Sequence, residues 1–286
     1  MFGKIQKYLS LVKFAHTIFA LPFALVGFFM ATTVYGYGFQ WIDLLKVLLA
    51  MVFARNAAMG FNRLIDREID ANNHRTANRE IPAGNVSVTA ARLFVGVNVV
   101  AFIAITWFIN SLCFYLSFVA MAVVLGYSLT KRFTWLCHFI LGVGLALAPI
   151  GAFLAVSGEF RLPPVLLSLA VLLWVAGFDI IYALQDEDFD KEHHLFSLPA
   201  YLGTKRAMLA ARISHLFSFA LILIVGFTLE LNALYFIGNA VFGGMLFYQH
   251  TIVKPHDLSR INVAFFTTNG IASIVFALFF IVSAFM

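Results

Sequence analysis

The chain is divided into apolar stretches about 20 residues long, the length an α-helix needs to cross the hydrocarbon core of a bilayer. Nine can be marked, at 14–36, 41–61, 90–109, 112–130, 134–156, 163–185, 207–229, 232–250 and 262–285. Several are separated by only a few residues, such as Asn110-Ser111 and Glu230-Leu231, which predicts tight helical hairpins. Only 12% of the 286 residues are charged, about half the share usual in soluble domains. The expected fold is therefore an all-α integral membrane bundle of nine transmembrane helices, with residues 1–286 forming a single transmembrane domain. The 33 phenylalanines suit a lipid-facing exterior or a large apolar cavity.

The connections between spans alternate between short and long, and the long ones carry the charge. Of the 19 Lys and Arg residues, all but Lys46 and Arg161 fall on one side of the nine-span arrangement. Basic residues accumulate in cytoplasmic loops, so the N-terminus and the long loops are expected in the cytoplasm and the C-terminus outside, in a multi-pass protein of the inner membrane. The sequence pI of about 9.3 then reflects topology, and no nucleic-acid partner is expected. Phe14–Thr33 follows three lysines as a secretory signal would, but its apolar run is too long for a signal core, so it reads as an uncleaved first span. Cys113 and Cys137 fall near opposite membrane faces and are not expected to pair.

Acidic side chains are costly inside hydrocarbon, so their placement is informative. Of the 14 acids, only Asp179 lies well inside an apolar span, about two turns from its cytoplasmic end. Two dense groups follow the second and sixth spans. The first is Asn62-Arg63-Leu64-Ile65-Asp66-Arg67-Glu68-Ile69-Asp70; continued as a helix, it places Asn62, Asp66 and Asp70 on one face. The second runs from Asp179 to Asp190, with Asp186 and Asp190 repeating the four-residue step. The groups are offset by 120 residues, which suggests an internal repeat of helix–Asp-rich loop–helix units. Stacked carboxylates repel unless a cation sits between them, and Mg²⁺ commonly binds a few carboxylates together with phosphate and water. Arg63, Arg67, Arg75, Arg79 and Lys131 lie nearby. Acid and base interleaved at one membrane face suit a diphosphate held through Mg²⁺ and guanidinium together.

At these residues the chain resembles the UbiA superfamily of intramembrane prenyltransferases. Asn62, Asp66 and Asp70 match its NxxxDxxxD motif, and Asn73–Gly84 resembles the NxRTxxRPIPxG tail of the 4-hydroxybenzoate branch, with Glu80 where that branch often has proline. Asp179, Tyr182, Ala183, Asp186 and Asp190 match DxxYAxxDxxxD; Tyr127 and Lys131 match YxxxK; His16–Pro22 resembles the family's first helix. The resemblance implies transfer of a polyprenyl group from polyprenyl diphosphate to an aromatic acid within membrane lipid. It also implies Mg²⁺ ligation by Asn62, Asp66, Asp70, Asp186 and Asp190, and diphosphate contact by Lys131, Arg75, Arg63 and Arg79. Asp179, Tyr127 and Arg67 are implied at the reaction centre. The tail motif is most like the type acting on 4-hydroxybenzoate in ubiquinone biosynthesis; a related group acts on a naphthoate-type acid in menaquinone biosynthesis.

Other features carry less. Adjacent His193 and His194 point apart on a helix and make a poor chelate. Gly142, Gly144, Gly243 and Gly244 fit close helix packing rather than nucleotide binding, and the Asn85-Val86-Ser87 sequon falls in an expected cytoplasmic loop. A cation or polyanion transporter is the rival class. It predicts a polar path to the outer face, where only Asp43, Lys46, Glu159, Arg161 and Glu230 are charged.

Overall fold

The computed structural model describes Leu11, Val12 and residues 19–286. Among these residues the chain is helical apart from an isolated β-bridge between Lys254 and Asp257. Helix α1 (Leu21–Phe29) continues as a π-helical turn, Met30–Val34. It is followed by α2 (Trp41–Ile65), α3 (Arg67–Asn72), α4 (Val88–Trp107), α5 (Ser111–Thr130) and α6 (Cys137–Ser157). Then come α7 (Leu162–Ala183), α8 (Glu187–Glu192), α9 (Leu198–Leu202), α10 (Thr204–Thr228), α11 (Ala233–Ile252) and α12 (Asn269–Ala284).

Seven of these stretches are long and apolar enough to cross a membrane: Trp41–Ile65, Val88–Trp107, Ser111–Thr130, Cys137–Ser157, Leu162–Glu192, Thr204–Thr228 and Val263–Ala284. The other two expected spans differ for separate reasons. Leu21–Val34 is apolar but shorter, and the part of the expected span before it, with His16, lies outside the described residues. Ala233–Ile252 has 20 residues, but Asn239, Gln249 and His250 dilute its apolar character.

Short-range chemistry sets the helix ends. Asn110 Oδ1 accepts the Cys113 N–H at 2.8 Å, and Ser87 Oγ accepts that of Ala90 at 3.2 Å, each satisfying a donor that a helix N-terminus leaves free. Pro163 and Pro164 open α7, where a missing N–H costs nothing. The π-helical turn Val263–Thr268 before α12 leaves carbonyls poorly paired. Asn269 Nδ2 donates to two of them, Ala264 O at 3.2 Å and Phe265 O at 2.9 Å. Its Oδ1 accepts from Trp174 Nε1 at 2.9 Å and Gln249 Nε2 at 2.6 Å, joining α12 to α7 and α11.

The bundle has a solid half and a hollow half. Helices α1, α7, α10, α11 and α12 share a core in which Phe23, Trp174, Phe242, Phe276 and Phe280 are buried, with edge-on and tilted aromatic contacts such as Phe23–Trp174 at 5.1 Å. In lipid the hydrophobic effect gives helices little reason to associate, so close packing of such rings must supply the attraction. Helix α6 bridges the halves, touching α1 and α7 on one side and α5 on the other. It reaches α7 through Gly142, where an added Cβ would stand 2.4 Å from the Leu172 carbonyl oxygen. Around the hollow half, α2 packs on α4 and α5, and alanines line the wall. Gly142→Ala should therefore force the α6–α7 seam apart at a cost of about 1–3 kcal/mol, measured as a lower apparent melting temperature of the detergent-solubilised protein.

Candidate active site

The two Asp-rich motifs take up the same local shape. Helix α2 ends at Ile65 rather than running through the first motif, because Asp66 takes φ −88° and ψ 4°, and the six-residue α3 starts after it. At the second motif Asp186 closes a 3₁₀ turn with φ −105° and ψ 6°, and the six-residue α8 follows. The single continuous face expected for Asn62, Asp66 and Asp70 is thus bent at its middle residue. The bend is small, since the Asp66 N–H still reaches Asn62 O at 3.0 Å and the Asp70 N–H reaches Asp66 O at 2.7 Å. It turns both carboxylate rows across the end of the bundle.

Four of the motif aspartates each hold a Lys or Arg. Asp66 pairs with Arg132 at 2.8 Å, Asp70 with Arg79 at 2.6 Å, Asp186 with Arg75 at 2.5 Å and Asp190 with Lys131 at 2.7 Å. The Arg75 contact is two-pronged, since Nε also donates to Asp186 Oδ1 at 3.1 Å; Nη1 donates to the Tyr182 hydroxyl at 3.2 Å. Asn73 Nδ2 adds a bond to Asp186 Oδ1 at 3.2 Å, and Asn62 Nδ2 donates to Asp66 Oδ2 at 2.9 Å. The segment after the first motif therefore grips the second directly. Burial pushes the Asp66 carboxyl above its usual range, with Arg132 only partly offsetting it. Burial alone would lower the pKa of Lys131, but Asp190 outweighs it and the ammonium is held firmly charged.

These groups stand at one end of a cavity of about 1060 Å³. Asn62, Arg63, Asp66, Asp70, Arg75, Arg79, Tyr127, Lys131, Asp179 and Asp186 all line it. From there the cavity follows α2, α5 and α6 past Ala54, Ala58, Ala120, Gly144, Ala148 and Gly151 to Cys113, Ile109 and Phe160. Between Ser128 and Cys113 helix α5 rises about 22 Å at 1.5 Å per residue, most of a hydrocarbon thickness. The wall is charged at one end and apolar along most of its length.

Two predicted residues stand elsewhere. Arg67 does not line the cavity; one residue past Asp66 and so about 100° round the helix from it, its guanidinium bonds Leu64 O at 3.0 Å and Glu68 at 2.6 Å. Asp190 is fully buried behind the wall against Lys131. Sequence reasoning missed four others. Arg132 fastens Asp66, Ile65 O and Ser128 O, and only its place beside Lys131 marked it. Arg55 lines the cavity about two turns from Asn62 on the same face of α2, a seven-residue spacing that could have been read. Asn73, though part of the tail motif, was not assigned to Asp186. His138 bonds Asp179 across 41 residues of sequence, with no local signal.

The donor set fits Mg²⁺: every motif side chain offers oxygen, the ligand this hard cation prefers. Asp70 Oδ2 is buried with no hydrogen-bond partner while its Oδ1 holds Arg79, so a carboxylate oxygen is available. Among the described residues no three His, Cys, Asp or Glu side chains come together closely enough to hold a metal ion.

A family model for the UbiA prenyltransferase family matches residues 20–283. The chain belongs to the UbiA prenyltransferase family. Among its relatives, the 4-hydroxybenzoate octaprenyltransferase of Nitrosospira multiformis is 31% identical over 242 residues, covering 84% of this chain and 83% of that one. The enzyme of the same description from Paraburkholderia phymatum is 29% identical over 279 residues, 97% and 96% of the two chains. A UbiA homologue from Aeropyrum pernix K1, solved in its apo form, superposes with a TM-score of 0.83 at 34% identity, covering 93% of this chain and 97% of that one. A UbiA homologue from Archaeoglobus fulgidus, solved with GPP and Mg²⁺, shares the fold at a TM-score of 0.74 and 21% identity, covering 97% and 99%. The protein is thus a membrane prenyltransferase. Arg75 and Arg67 should differ sharply. Arg75→Ala should lower prenyl transfer by on the order of a hundredfold, the scale for losing a donor to developing charge, whereas Arg67→Ala should stay within about twofold of wild type; both are read from product formation in membranes.

Proposed function

We propose that this prenyltransferase carries out Mg²⁺-dependent transfer of a polyprenyl group to a ring carbon of 4-hydroxybenzoate, from a site facing the cytoplasm. The observation that carries the reading is one cavity with four acid–base pairs at its mouth and an apolar bore leading away from them. That division matches a substrate with a diphosphate head and a hydrocarbon tail. The acceptor is inferred from relatives described as 4-hydroxybenzoate octaprenyltransferases, and the metal from the oxygen donor set together with the Mg²⁺-bound homologue. The cytoplasmic placement rests on the basic residues gathered at the motif end.

The paired charges suit this task. Asp66, Asp70, Asp186 and Asp190 are each neutralised by a cation, so these four carboxylates leave little unpaired charge at the site. Asn62, Asp66, Asp70 and Asp186 would hold the metal, which when bound supplies positive charge to the leaving diphosphate, while Asp190 behind the wall holds Lys131 in place. Arg75, Arg79 and Lys131 then exchange their carboxylates for phosphate oxygens, and Arg63 adds a buried guanidinium. As the C1–O bond breaks, its electron pair leaves with the diphosphate and the allylic fragment turns cationic. Arg55 and Arg63, which line the cavity, would meet the acceptor's carboxylate. The ring carbon ortho to the phenol forms the new C–C bond, beside Tyr127, and the displaced ring proton passes to Asp179.

Because the same carboxylates hold cations or metal, Mg²⁺ and prenyl diphosphate should bind cooperatively. Titration calorimetry is expected to show Mg²⁺ binding tightening by about tenfold or more in the presence of a non-hydrolysable prenyl diphosphate; equal affinity with and without it would refute the exchange. Asp66→Ala and Asp190→Ala should each abolish Mg²⁺-dependent turnover, and wild-type rates in both would remove the site assignment. Mass spectrometry of products formed with 4-hydroxybenzoate and a dihydroxynaphthoate offered together should find the prenylated benzoate. Prenylated naphthoate alone would reassign the acceptor, and Mg²⁺ flux into liposomes without either product would favour a transporter.

A further inference from the structure

The deepest acid of the second motif has a partner that the transfer reaction has not yet used. His138, at the start of α6, is 3% exposed, and its Nδ1 lies 2.7 Å from Asp179 Oδ2. Its other ring nitrogen, Nε2, accepts the backbone N–H of Leu198 at 3.1 Å. A backbone amide can only donate, so Nε2 must present its lone pair and the single ring proton must sit on Nδ1. The imidazole is therefore neutral and donates to Asp179. A second proton on the ring would displace the Leu198 N–H in a buried site, at the cost of an unsatisfied donor.

Leu198 is itself tightly placed. The strand of chain before it is stitched down by the Leu195 N–H to Asp190 O at 2.8 Å and the Phe196 N–H to Lys131 O at 2.7 Å. Cys137 Sγ adds a contact to Phe196 O at 3.4 Å. Thus the donor that fixes the His138 tautomer hangs from the backbone of the Lys131–Asp190 pair.

We propose that His138 is a positioning residue: it clamps Asp179 Oδ2 in a tautomer set by the Leu198 amide, so that Oδ1 is the oxygen that receives the ring proton. This rests on Asp179 as the proton acceptor. In that step the ring C–H electron pair returns to the aromatic system, the proton bonds to Oδ1, and the Nδ1–H stays on His138, stabilising the carboxylate before transfer. His138 also borders the cavity, but both its ring nitrogens are committed to Asp179 and the Leu198 amide, so its effect is on the rate of proton removal.

The test compares turnover with 4-hydroxybenzoate and with its ring-deuterated form. His138→Leu is expected to lower kcat by about 10- to 100-fold with KM for the prenyl diphosphate within about twofold, and to raise the deuterium isotope effect above the wild-type value. His138→Asn, whose Nδ2 stands where Nδ1 stood, should recover most of the loss; His138→Gln, whose amide stands nearer the Nε2 position, should recover little. Nitrogen-15 NMR of labelled histidine in the full-length protein should show the Nδ1–H tautomer for His138. Wild-type kcat in His138→Leu, a loss without a change in isotope effect, Gln rescuing better than Asn, or an Nε2–H or doubly protonated ring would each overturn the proposal. Should His138→Leu fail to fold, the Asn–Gln comparison and the NMR signal decide alone. Asp179→Asn separates the two claims: if it keeps the wild-type rate, Asp179 as acceptor fails; if it is slow while the His138 variants are not, only the clamp fails.

Discussion

The two-pronged contact between Arg75 and Asp186 holds the site together, because it is the place where the segment after one motif is fastened to the other motif. Asp66, Asp70, Asp186 and Asp190 would otherwise be mutually repelling carboxylates at the end of an apolar bundle. Buried like charges raise one another's cost unless each meets an opposite charge in good geometry. Here each of these four aspartates has its own cation, and the fork of Arg75 ties the two halves of the site together. The bends at Asp66 and Asp186 follow from the same demand. A straight α2 would carry its carboxylates out beyond the bundle, whereas a break at each middle aspartate lays them across its end.

Much of this was legible in the sequence, and the reasons differ by level. Helices showed plainly because the bilayer imposes a length, and seven stretches of that length appear among the described residues. The carboxylate rows were legible from spacing, since four-residue steps survive a mild bend. The partners at the helix end were not: Arg67, one residue past Asp66 and so about 100° round the helix from it, faces Glu68, and Arg132, just past the end of α5, takes Asp66 instead. The His138–Asp179 contact joins two apolar helices and leaves no periodic trace, so it could be found only in three dimensions.

The two halves of the bundle divide the work. Around Trp174, tightly packed aromatic rings and the Asn269 hub leave no space and make a rigid wall. Around α2, α5 and α6 alanines and glycines alternate with larger apolar side chains, and the space between these helices is the cavity. Helix α6 belongs to both, with Gly142 set into the wall and Gly144 facing the bore. It also carries His138, so the acid proposed to accept the ring proton is braced from the same helix that separates solid from hollow.

The apolar wall of the bore has a consequence for how a long ligand would be measured. Leu116, Met121, Leu145 and Leu147 stand among its alanines and glycines, and contact of hydrocarbon with hydrocarbon is non-directional. In the proposed function, register would then be set from the charged mouth, as a bolt is located by its head, and a longer tail would reach further toward Ile109 and Phe160.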